Sequence, residues 1–199
     1  MPDIIRDPDF NLVHAFIQGK EHGAINMLIL KYQDQVFNFC CRFLGNEEDA
    51  RDCSQEIFIK VFKNLNGFRF KSKFSSWIYR IMINTCNEMV RSKNYRQRKK
   101  TLRQNPITRP EQVKYGNEND YYSNPEYALY RKQFNQAFQE SLDQLNRVQK
   151  SLIILRDLEG RSYDEISKIT GLKTGTVKSS LARARYKMAD KLKDYRNAM

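Results

Sequence analysis

The residues of this chain whose types and spacing could do chemistry are suited to recognition rather than to making or breaking bonds. Near the C-terminal end, Thr176, Lys178, Ser179 and Arg183 lie in the first turns of a basic helical segment. It follows the run from Ser162 to Gly171 and a short turn at Leu172–Gly175. Small polar residues at the start of such a helix let it approach base edges in a major groove, and cations grip phosphates. Lys173 and Thr174 sit at the turn, with Thr174 expected to cap the helix. The same pattern in a bundle without a ligand would be only a solvated helix face.

A second group interleaves aromatics and cations: Phe68, Arg69, Phe70, Lys73, Phe74, Trp77 and Arg80. Aromatic faces stack on unpaired bases while cations hold the backbone, the composition wanted for a single strand. Phe68 and Phe70 are expected to be exposed. Phe74 and Trp77 suit a core equally well. A third group is acidic: Glu47, Glu48, Asp49, Asp52 and Glu56 stand against Arg51 alone between residues 46 and 56. Residues 91 to 110 hold Arg91, Lys93, Arg96, Arg98, Lys99, Lys100, Arg103 and Arg109 and no acid. A basic surface and a separate acidic helix on one chain suggest two kinds of partner.

Catalysis is poorly supported. The chain has no phosphate-cradling glycine loop, nucleophile motif or metal-ligand spacing, so it is read as a non-enzyme with no cofactor and no metal. Cys40, Cys41, Cys53 and Cys86 form no Cys-x-x-Cys pair and are expected as reduced core residues. A zinc site using His22 is a remote alternative. With 35 Lys plus Arg against 23 Asp plus Glu, the net charge of +12 over 199 residues favours polyanions. No apolar run is long enough to span a membrane, and the start of the chain is unlike a signal peptide, so a cytoplasmic location is expected.

The elements that must position these groups read as helices throughout. A short helix follows Asp9. A longer one runs from about Glu21 to Leu44, with Ala24, Leu28, Tyr32, Val36 and Phe43 as its stripe. The acidic segment begins a helix at Asn46 that reaches Leu65, with Ala50, Cys53, Ile57 and Val61 inward. Another starts at Ser75 or Ser76, with Trp77, Ile78, Ile81, Thr85 and Met89 apolar. Residues 92 to 134 lose periodicity around Pro106, Pro110, Gly116 and Pro125 and read as a linker. Helical stripes resume with Phe138, Leu142 and Leu145, then Val148, Leu152, Leu155 and Leu158. Ser162 and Glu165 form a capping box. Val177, Leu181, Ala184, Met188 and Leu192 line the last helix. The fold class is therefore all-α: two small helical domains, 1–95 and 134–199, joined by a basic then mildly acidic linker at 96–133, the second a helix-turn-helix domain.

The run Glu48-Asp49-Ala50-Arg51-Asp52-Cys53-Ser54-Gln55-Glu56-Ile57-Phe58 is followed by Phe68 through Trp77-Ile78-Tyr79-Arg80-Ile81, then Asn84 and Arg91. Leu158-Glu159-Gly160-Arg161-Ser162-Tyr163-Asp164-Glu165-Ile166 and Gly175-Thr176-Val177-Lys178-Ser179 come later. In that order they resemble the extracytoplasmic-function group of bacterial RNA polymerase sigma factors. The resemblance covers roughly residues 22–95 and 134–193.

It implies that Asp49, Asp52, Gln55 and Glu56 bind the clamp helices of the polymerase largest subunit. It also implies that Phe68, Arg69, Phe70, Lys73, Phe74, Trp77, Arg80, Asn84 and Arg91 open and capture the single-stranded minus-10 region. The last helix, with Lys173, Thr174, Thr176, Lys178, Ser179 and Arg183, would read minus-35 duplex, its domain leaning on the flap of the second-largest subunit. The linker would thread the polymerase channels, and an anti-sigma factor is the implied regulatory partner. Ser180 stands where the family often has arginine, Glu88 replaces a frequent aspartate, and Ser92 stands where a second arginine is common. Asn146 follows Leu145 where proline is usual, and the linker is longer than in most members. A stand-alone helix-turn-helix regulator is the main alternative. A sigma-like protein that has lost promoter opening is the second, and a nucleic-acid enzyme lacks residues to act with.

Overall fold

A computed structural model describes residues 7–19, 23–92 and 125–195. The basic stretch from Lys93 to Arg109, His22, most of the linker and its tyrosines at 115, 121 and 122 lie outside the described residues. All regular structure among the described residues is helical. Helix α1 spans Phe10–Ile17, α2 Ala24–Leu44, α3 Glu47–Leu65 and α4 Phe74–Arg91. After the gap come α5 at Pro125–Asp143 and α6 at Arg147–Ile153, which runs into a π-helical turn at Ile154–Leu158. Helix α7 spans Tyr163–Thr170 and α8 Thr174–Leu192.

The amino-terminal half is built on the α2 stripe, where Leu28, Val36, Phe39 and Phe43 are all buried. Ala50, Cys53, Ile57, Val61 and Leu65 of α3 meet it at the spacing of one helix face. Asn46 starts α3 by accepting from the Asp49 N–H at 2.8 Å. Gly45 ends α2 at φ +81°, a left-handed conformation that glycine adopts without a Cβ penalty. A Cβ there would also lie 3.2 Å from Nε2 of Gln139 on α5.

The carboxyl-terminal half packs α5 and α6 against α8, with α7 across its start. Ser162 and Glu165 make the expected reciprocal box, and Gly171 closes α7 at φ +74°. Val177, Leu181, Ala184 and Met188 face inward as expected. Several boundaries differ from expectation. Helix α5 begins at Pro125, well ahead of Phe134, because proline is well suited to a first helical position. Thr174 is the first residue of α8, not its cap; Lys173 holds the cap position without a side-chain bond. Helix α4 starts at Phe74, before either serine. A second box, Asn146 with Gln149, opens α6. Val148, expected inward, is 52% exposed. Gln149 and Lys150 turn in instead, and the Lys150 ammonium meets Asp143 at 2.7 Å.

The two halves touch through charged and polar groups that no local pattern announces. Glu159, just past the π turn, accepts from Arg42 of α2 at 2.9 Å and from the Tyr79 hydroxyl of α4 at 3.0 Å. The Arg161 guanidinium lies 4.8 Å from the Tyr79 ring centre. Tyr79 is fully buried, and burial with the neighbouring Glu159 charge raises its pKa, so it remains a neutral donor.

Candidate functional site

On α3, the side chains of Asp52, Gln55 and Glu56 are exposed while Ile57 and Cys53 point into the core. Glu56 is loosely paired with Lys60 at 3.7 Å, a turn further on. Asp49 is different and corrects the sequence expectation of a free contact residue. It is 2% exposed, and its carboxylate accepts from the Asn46 side chain at 2.5 Å. The cap that starts α3 uses this side chain. The exposed acidic row is thus Glu48, Asp52 and Glu56 with Gln55 beside it.

The aromatic segment is also rearranged. Phe68 and Phe74 are 7% and 1% exposed, so the expected exposure of Phe68 is overturned and Phe74 proves to be core. The reason is mutual packing: the Phe68 ring centre is 6.1 Å from Phe74 and 5.3 Å from Trp77. Phe70 and Trp77 keep part of their faces open, and Arg69, Lys73, Arg80, Asn84 and Arg91 are exposed. Among the described residues, Phe70 is the non-glycine residue at positive φ, +54°, a costly conformation beside which its ring contacts lie. Two faces thus stay available for stacking, over a floor made by two buried rings.

Arg80 and Asn84 do not look onto open solvent alone. The Arg80 Nε donates to the Lys168 carbonyl at 3.1 Å, at the end of α7. Asn84 lines a cleft of about 580 Å³ whose opposite wall is the turn Ile169–Leu172 and Val148. In this arrangement the α4 face and the helix-turn-helix turn cover each other in part.

Along α8, Thr176, Ser179 and Arg183 share one exposed face at about 100° per residue, continued by Tyr186. Lys178 flanks it, its ammonium 5.4 Å from the Tyr163 ring centre on α7. Lys173 is exposed, and Thr174 is partly covered. Ser180, at the position where arginine is common, is 9% exposed and turned toward α6. Arg185 donates to Asp157 at 3.1 Å and braces α8 on the π turn.

All four cysteines are free and buried. The sequence did not show that three of them converge: Cys86 Sγ lies 3.8 Å from Cys40 and 3.6 Å from Cys53. Burial pushes the Cys86 thiol well above its ordinary pKa, as expected for a neutral core thiol. No helix among the described residues is long and apolar enough to cross a membrane. The interlock of Arg42, Tyr79, Glu159 and Arg161 escaped the sequence reading because its partners are up to 117 residues apart.

Comparison with known proteins accounts for this arrangement. Residues 28–96 match the family description Sigma-70 region 2, and residues 135–188 match Sigma-70, region 4. The RNA polymerase sigma-H factor of Pseudomonas aeruginosa is 30% identical over 186 residues, covering 92% of each chain. The ECF RNA polymerase sigma-E factor of Escherichia coli is 31% identical over 176 residues, 88% of this chain and 90% of its own. The fold is shared with CnrH, solved in complex with the cytosolic domain of CnrY, at a TM-score of 0.62 and 21% identity. That match covers 94% of this chain and 97% of CnrH. RpoE of Bartonella quintana, solved with the anti-sigma factor NepR, matches at 0.60 and 21%, over 86% of this chain and 98% of its own. The chain belongs to the sigma-70 family, in its extracytoplasmic-function group, and is a non-catalytic RNA polymerase subunit of transcription initiation.

Proposed function

We propose a division of labour between surfaces. The exposed row Asp52, Gln55 and Glu56 on α3 docks on the clamp helices of the polymerase largest subunit. Arg69, Phe70, Lys73, Trp77, Arg80, Asn84 and Arg91 take the displaced minus-10 strand, Phe70 and Trp77 by stacking and the cations along the backbone. Thr176, Ser179 and Arg183 enter minus-35 duplex, with Lys173 and Lys178 on flanking phosphates, and the same domain rests on the polymerase flap. Phe68 and Phe74 act as the floor of the strand site. Asp49 acts by starting α3. The domain limits 1–95 and 134–199 are kept for these two roles, with α5 extending the second toward Pro125.

The observation that carries this reading is the opposite charge of two exposed faces. The α3 row is acidic, whereas the loop before α4 and the outer face of α8 are cationic. One polyanionic partner cannot satisfy both. Arg80 is bonded to the end of α7 and Asn84 lines the cleft against the turn between α7 and α8, so parting of the halves would free both side chains for the strand. Polymerase binding supplies that separation, and an anti-sigma factor of the kind seen with RpoE would oppose it.

Permanganate footprinting tests the reading. On a promoter the holoenzyme transcribes, thymines near minus-10 become reactive only when this chain is present. A holoenzyme that protects the upstream duplex but leaves those thymines unreactive would refute strand opening. Tight duplex binding without any affinity for core polymerase would favour the stand-alone regulator.

A further inference from the structure

We infer that the segment Asp7–Ile17 is a positioning element for the aromatic loop, with Asp7 and Phe10 as its positioning residues. The inference rests on the reading of that loop as the strand site.

Helix α4 begins at Phe74 without help from its own cap residue, since Lys73 makes no capping bond. The Phe74 N–H donates instead to Oδ2 of Asp7, 67 residues earlier, at 2.7 Å. A carboxylate here both satisfies an orphan donor and faces the positive end of the helix dipole. Asp7 is itself fixed. Its Oδ1 accepts from the Asp9 N–H at 3.1 Å, and Asp9 is fully buried against α2. There Asp9 accepts from the Tyr32 hydroxyl at 2.5 Å and pairs with Lys31. The start of α4 is thereby tied to α2 through two carboxylates.

The loop is held from the other side by rings. Phe10 lies 5.0 Å from Phe70, Phe70 lies 5.0 Å from Phe68, and Phe68 lies 5.3 Å from Trp77. Phe70 sits at φ +54°, so it needs outside contacts to hold its place. Phe10 supplies one, and its own ring is stacked on His14. The two faces offered to a strand, those of Phe70 and Trp77, are therefore aimed by residues that need not touch the strand.

The test uses full-length chain bound to bacterial core polymerase. Affinity is measured for a dye-labelled, mixed-sequence single-stranded DNA oligonucleotide, as the excess over core alone. Trp77 is the single tryptophan, so iodide quenching of its emission in the free chain reports on the loop separately. Asp7→Ala and Phe10→Ala should each weaken strand binding roughly tenfold and make Trp77 more quenchable, with core affinity unchanged. Asp7→Asn keeps an acceptor for the Phe74 N–H and should restore most of both signals. A merely structural role would lower thermal stability and core affinity together, without rescue of strand binding by asparagine. Wild-type strand affinity and unchanged quenching in both alanine variants would overturn the inference. If wild-type holoenzyme binds no more strand than core alone, the strand-site reading falls, and the quenching contrast alone decides whether Asp7 and Phe10 set the loop.

Discussion

Lys178 and Ser162 illustrate how differently two polar residues of one helix-turn-helix act. Lys178 is exposed beside the outer face of α8, its ammonium 5.4 Å from the Tyr163 ring centre and still open to solvent. Lys178→Ala should weaken upstream duplex binding across sequences and reduce the magnitude of its salt slope by about one. An unchanged slope in binding titrations at several salt concentrations would place Lys178 off the phosphates. Ser162 works inside the fold. Its hydroxyl accepts from the Glu165 N–H at 3.2 Å, while Glu165 accepts from the Ser162 N–H at 2.9 Å. That backbone bond is the main reason the Glu165 pKa is lowered below its ordinary value of 4.5. A depressed carboxylate contributes stability above its unfolded pKa and loses it as pH falls through the folded one. Ser162→Ala should cost about 1 kcal/mol near neutral pH. The part of that cost that comes from the Ser162 hydroxyl donating to the Glu165 carboxylate should be lost as pH falls through the folded Glu165 pKa, which lies below 4.5. Denaturant titrations across that range would show it.

At the scale of the element, α3 separates its two duties by face. Replacing Gln55 and Glu56 with alanine should weaken core polymerase binding by tenfold or more and leave the melting temperature within a few degrees. Ile57→Ala, one residue on, should instead cost about 2–5 kcal/mol because it opens a cavity in a fully buried site. Equal core affinity for the double variant and wild type would remove α3 from the interface. The helices themselves were legible because their stripes repeat at helical spacing. The α2, α3 and α8 stripes appear in the structure as read. What misled was local. Phe68 and Phe74 sit among cations in sequence, yet ring-on-ring packing draws both inward. Asp49 belongs to an acidic run but is claimed by its own cap. Val148 fits an apolar stripe but lies at the edge of the cleft.

At the scale of the molecule, the contacts that matter link residues far apart, and nothing periodic marks them. Glu159 joins Arg42 and Tyr79 with side chains only 12–13% exposed in the ion pair. Removing Glu159 takes away the carboxylate that pairs with the mostly buried Arg42 guanidinium, which is destabilising for the closed arrangement. Distance measurements between labels on α2 and α8 should show Glu159→Ala shifted toward a longer separation, with each half still helical. An unchanged distance distribution would mean that the remaining contacts, among them Arg80 with the Lys168 carbonyl and Gln139 with the Arg42 carbonyl, hold the halves. The same parting frees the Arg80 guanidinium from the Lys168 carbonyl and opens the cleft that Asn84 lines, so it favours strand capture. The central claim is that this one chain gives core polymerase both an upstream anchor and a strand-opening surface. Run-off transcription from genomic fragments with purified core polymerase tests it most directly. The account predicts a discrete transcript that appears only with this chain, is weakened by Lys178→Ala, and is lost with the Gln55 and Glu56 double variant. No chain-dependent transcript from any fragment, despite folded protein and active core, would contradict it.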